Sequence, residues 1–115
     1  IKAVQSVANE DTKFKTWFDA LDHMKNQMNE IDYDIALIGC GAYGFNLAAH
    51  AKRMGKKGFH IGGVLQMMFG IIGKRWENPA QSNGKYLRLF NDHWVRPMND
   101  EKPKYSSLVE GGTYW

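Results

Sequence analysis

Only one cysteine, Cys40, stands among the 115 residues, so no intrachain disulfide can form and a cytoplasmic setting is expected. Nor does any apolar run approach the ~18 residues a membrane span requires. The richest stretch, residues 61–72, is broken by Gly62, Gly63 and Gly70 and contains Gln66. No Cys/His cluster has the spacing of a metal site, and no metal ligands are expected. Charge of one sign is also scarce. Fifteen Lys and Arg against twelve Asp and Glu leave a formal net charge of +3, spread along the chain. Nucleic acid is therefore not an expected partner, whereas a small anionic ligand or an anionic membrane surface suits the balance equally well. There is no internal repeat and no low-complexity tract. A hydrophobic share of 43% and a charged share of 23% fit one small folded domain over residues 1–115. The chain opens at Ile1 on structured-looking sequence, and the expectation is the C-terminal part of a longer protein.

What is present is organised around residues 34–44, Asp-Ile-Ala-Leu-Ile-Gly-Cys-Gly-Ala-Tyr-Gly. Ile35, Ala36, Leu37 and Ile38 form the short apolar run expected of a strand covered on both faces. Gly39, Gly41 and Gly44 then have G-x-G-x-x-G spacing. That spacing permits a sharp turn, lets an anion approach main-chain N–H groups, and seats the following helix close to the strand. A helix opening near Tyr43 points its unpaired N–H groups and positive dipole end at whatever lies above the turn. Leu47, Ala48, Ala51 and Met54 give that helix a narrow face for the sheet, with Asn46, His50 and Arg53 on the solvent side. Gly55 ends it, and Gly58-Phe59-His60-Ile61 reads as a second strand. The unit is β-α-β with a parallel pair.

Before this unit, residues 1–9 suggest an edge strand or a lead-in loop. Asp11 is the expected N-cap of a helix whose stripe is Phe14, Trp17, Phe18, Leu21, Met24 and Met28. After it, residues 64–69 read as a short helix or apolar turn, and Lys74-Arg75-Trp76 as a return to the surface. Residues 77–85 read as loop, and residues 86–94 as a helix with Leu87, Phe90 and Trp94 on one face. Arg96-Pro97 stops it. The aromatic tail, residues 109–115, has no assigned place. The expected fold class is α/β: a Rossmann-like, three-layer domain with a short, mostly parallel sheet and flanking helices. Two strands make a thin sheet. Further strands from residues 1–9 and the C-terminal half, a preceding part of the protein, or a second copy in a homo-oligomer are expected to complete it.

A nicotinamide site places a carboxylate about 20 residues beyond the first glycines. Here that place is His60-Ile61-Gly62-Gly63, so a dehydrogenase is disfavoured. No Gly-Lys-Ser/Thr follows to make a P-loop. The glycine run, with Leu47-Ala48-Ala49, Gly55-Lys56-Lys57, His60-Ile61-Gly62-Gly63, Phe69-Gly70-Ile71, Gly73-Lys74-Arg75-Trp76, Trp94-Val95-Arg96-Pro97 and Glu110-Gly111-Gly112 before Tyr114-Trp115, resembles a bacterial family of largely uncharacterised proteins. That family is associated with surface and capsular polysaccharide gene clusters, and the likeness covers essentially the whole chain. The order of elements is more distantly similar to GT-D-type glycosyltransferases, which use nucleotide sugars. Their Asp-x-Glu motif, which serves the metal and the sugar nucleotide, corresponds here to Val64-Leu65-Gln66, without a carboxylate.

These readings define the candidate site. The main chain of Gly39, Cys40, Gly41, Ala42, Tyr43 and Gly44 would hold a phosphate, with Gly62 and Gly63 at the end of the second strand. Lys74, Arg75 and Arg96 would balance the charge of a nucleoside diphosphate leaving group, and Gln66 would bind a sugar hydroxyl. His60, at the C-terminal end of a parallel strand, is the candidate general base or phosphate partner. Each residue also has a plainer reading: a solvated basic turn for Lys74-Arg75, an Arg stacked on Trp94 for Arg96, and a hydrogen-bonded structural role for His60. Cys40 sits where a helix N-terminus lowers a thiol pKa, but a small buried residue between two glycines explains it as well. The expected function is binding of a nucleotide sugar or other phosphorylated ligand, as a glycosyltransferase of polysaccharide assembly; the alternatives are a non-catalytic scaffold or interaction domain of that pathway and, less favoured, an NAD(P)-binding enzyme fragment.

Overall fold

In a computed structural model of the chain, residues 1–6 and 12–115 are described. Backbone contacts group them into two compact units, the first holding Ile1–Ser6 and residues 12–65, the second Gln66–Trp115. The first unit is a mixture of helix and strand in the order α1 (Trp17–Asn29), β1 (Ile35–Ile38), a 3-10 turn (Gly41–Tyr43), α2 (Gly44–Arg53) and β2 (Lys57–His60). The two strands pair in parallel, with Ile35 opposite Lys57 and Ile38 opposite His60. This is the β-α-β unit that the glycine turn predicts, compatible with an α/β class.

Helix α1 starts where its side chains satisfy its free N–H groups. Thr16 Oγ1 accepts from Asp19 N at 3.1 Å while Thr16 N donates to Asp19 Oδ2 at 2.9 Å, a reciprocal box closing two otherwise unpaired donors. The predicted cap, Asp11, lies outside the described residues, and the described helix begins at Trp17. Ala20, Leu21, Met24 and Met28 of α1 join Ile38, Tyr43, Leu47 and Ala51 in one buried cluster. Ala20 was not in the predicted stripe, and Phe18, which was, is 68% exposed. Phe18 is one position round from the Leu21–Met24–Met28 line, and its ring stands edge-on to Trp17 instead of entering the core. Residues 1–6 form no strand. Ala3 and Val4 lie on the cluster as a lead-in segment, and residues 7–9 of that stretch lie outside the described residues.

Among the described residues, coverage of the sheet on both faces is not observed. Ala36 and Ile38 turn toward the core, whereas Ile35 and Leu37 are 49% and 45% exposed, as is Phe59 of β2 at 51%. Register puts Leu37 opposite Phe59, so the three form an open apolar strip on one face. The other face lies under α2. There Gly58 lets β2 approach so closely that an added Cβ would sit 2.6 Å from the Ala48 carbonyl oxygen. Met54, expected on the packed face, is half out at 36%. Gly55 takes φ +77°, where a C′ glycine belongs.

A short helix α3 (Val64–Met68) follows, and the unit boundary falls within it. The second unit is built of short pieces: α4 (Lys74–Glu77), α5 (Pro79–Ser82) and 3-10 turns at Tyr86–Leu89, Asn99–Glu101, Ser106–Leu108 and Glu110–Gly112. Among the described residues its one pairing of strand type is a parallel bridge between Ile71 and Val95, beside Gly70. Helix α5 falls in the predicted loop because Asn78 caps Ala80 N at 3.0 Å and Pro79 occupies the first helical position. The helix predicted over residues 86–94 stops after one 3-10 turn. Phe90 is extended, and Asn91 Oδ1 takes the His93 N–H at 3.0 Å, an alternative to the helical bond. Trp76, predicted at the surface, is buried and meets Tyr86 edge to face.

Candidate functional site

The glycine turn connects β1 to α2 at the C-terminal edge of the parallel pair, where open α/β sheets gather ligands. Its three glycines answer to different constraints. Gly41 has φ +52° and open space around its Cα, so backbone conformation requires it. Gly39 is a close approach: a Cβ there would lie 2.6 Å from the Gly62 carbonyl oxygen and 2.8 Å from Leu65 Cβ. Gly44 makes room for His60, whose imidazole edge would be 2.5 Å from an added Cβ. The turn is thus packed from one side by Gly62 and Leu65 and from the other by His60. Gly41 and Ala42 stay exposed between them.

Within this frame, Tyr43 contributes main chain only. Its ring is buried, stacks on Trp17 with centroids 4.9 Å apart and planes 5° apart, and its hydroxyl lies 2.6 Å from Ser6 Oγ. Burial pushes the Cys40 thiol up from its ordinary value, the reverse of an activated cysteine. Gly62 reverses the chain after β2 with φ +59° and accepts from Leu65 N at 3.2 Å, while Gly63 is half-buried beside it. His60 is exposed. It is the one predicted side chain with acid–base chemistry at this edge, and its ring lies against Gly44, the first residue of α2.

The remaining predicted residues belong to the second unit, where Gln66, Arg75 and Arg96 have partners. Arg75 NH1 donates to Tyr114 Oη at 2.7 Å and lies 3.4 Å from Glu110 Oε2, with its guanidinium over the Trp76 and Tyr114 rings. Its N–H reaches the Thr113 carbonyl at 2.9 Å. Gln66 Nε2 donates to the Tyr114 carbonyl at 2.8 Å, and Gly73 leaves no space for a Cβ, which would meet Tyr114 O at 2.9 Å. Arg96 pairs with Glu77. Lys74 opens α4 and is exposed. The aromatic tail that sequence reasoning left unplaced is therefore the common partner of Gln66, Gly73 and Arg75. Its signal was present in the Glu110 and Tyr114 side chains, but nothing local ties residues 48 positions apart.

Among the described residues no group of three His, Cys, Asp or Glu side chains converges to hold a metal ion, and no helix is long and apolar enough to cross a membrane. Comparison of the chain with protein-family models, with curated proteins and with solved structures finds no match.

Proposed function

We propose that the chain is a Rossmann-like, three-layer domain that binds a phosphorylated small molecule of the nucleotide-sugar class. On this reading it serves bacterial surface polysaccharide assembly in the cytoplasm as a glycosyltransferase. One observation carries the proposal: the parallel β1–turn–α2–β2 unit brings the N-terminal end of a ten-residue helix and the His60 imidazole to the same edge of the sheet. The amides around Gly41 and Ala42, with the positive end of α2 behind them, suit a phosphate. His60 then serves as its hydrogen-bond partner, or as the base that takes a proton from an acceptor hydroxyl. The likeness in the order of elements to GT-D-type glycosyltransferases supports the choice of nucleotide sugar.

The test uses uridine and guanosine diphosphate at millimolar concentration. A ligand at 100 times its Kd stabilises the fold by about 2.7 kcal/mol, an easily read rise in melting temperature. Gly41→Asp should abolish that rise by placing a carboxylate at the turn, while Gly41→Asn, equally tolerant of positive φ, should keep it. Absence of a rise with both nucleotides in the unaltered chain refutes the proposal.

A second reading, a non-catalytic interaction domain of the same pathway, is favoured by the open strip of Ile35, Leu37 and Phe59. Apolar surface of this kind on a parallel pair is unusual for a finished sheet. It is distinguished by Leu37→Lys. Self-association in light scattering that this variant abolishes, with no nucleotide-induced rise in melting temperature in the unaltered chain, would support the second reading.

A further inference from the structure

We draw no further inference here: the strongest candidate, the open apolar strip of Ile35, Leu37 and Phe59 on the uncovered face of the β1–β2 sheet, carries nothing more because nothing in the structure shows what covers it.

Discussion

At Gly39 an added methyl group would meet the Gly62 carbonyl oxygen, a backbone atom held in a turn, whereas at Gly44 it would meet the far edge of an exposed imidazole that can swing aside. The two substitutions should therefore part company. Gly39→Ala is expected to lose about 1–3 kcal/mol to overpacking. Gly44→Ala is expected to lose little, because removing a helix glycine returns up to about 1 kcal/mol. Denaturant titration of both variants checks this, and equal losses would mean that the turn is not packed as described. The glycine spacing was legible in the sequence, but its causes were not. A pattern search gives one motif, and space filling by Leu65, Gly62 and His60 divides it into three separate constraints. His50 offers a second test at this scale. It lies 2.8 Å from Asn29 Oδ1, and its pKa is lowered by burial first, then by Lys25 and Arg53. The folded chain thus binds its proton less readily than the unfolded chain. Stability from this group is complete above the ordinary histidine value of about 6.5, and it declines as pH falls through that value toward the lowered one. His50→Gln should flatten that acid-side decline in denaturation midpoints measured between about pH 7.5 and about pH 5. An unchanged slope would assign it to other groups.

The elements divide by how local their causes are. Helix α1 was legible because a 3.6-residue stripe is a short-range signal, although the helix starts later, at Trp17 behind a Thr16 cap, with Phe18 out of the core and Ala20 in it. Its stability should follow suit. Met24, 1% exposed at the centre of the cluster, is expected to cost about 2–5 kcal/mol as Met24→Ala. Thr16→Ala should cost about 1 kcal/mol through the lost cap. If thermal melts ranked the cap above the core residue, the packing given for α1 would be wrong. The second unit was poorly legible for the complementary reason. Asn78 and Asn91 steer the backbone by side-chain bonds over two residues, and Arg75 finds Tyr114 across 39 positions. Tyr114→Phe keeps the ring under Arg75 and removes only the hydroxyl acceptor. About 1 kcal/mol is expected, the usual net worth of a hydrogen bond.

On the scale of the whole chain the apolar core is unevenly shared. Among the described residues the buried hydrophobic side chains are Ala20, Leu21, Met24, Met28, Ile38, Tyr43, Leu47 and Ala51 in the first unit and Trp76 in the second. Burial of apolar area is the main favourable contribution to folding, and the ordering entropy to be offset grows with every residue fixed. The first unit offsets that entropy with a contiguous cluster. The second relies on aromatic edges, on the ties of the 109–115 tail, and on short turns whose carbonyls bond locally. Local opening should accordingly be cheaper in the second unit. Hydrogen exchange followed by mass spectrometry is expected to show slow amides in α1, α2 and the β1–β2 pair, and faster exchange across Gln66–Trp115. Tyr114→Phe should speed exchange near Gln66 and Arg75 while leaving α1 unchanged. Equal protection of the two units would require apolar burial in the second beyond Trp76, and would overturn this division of stability.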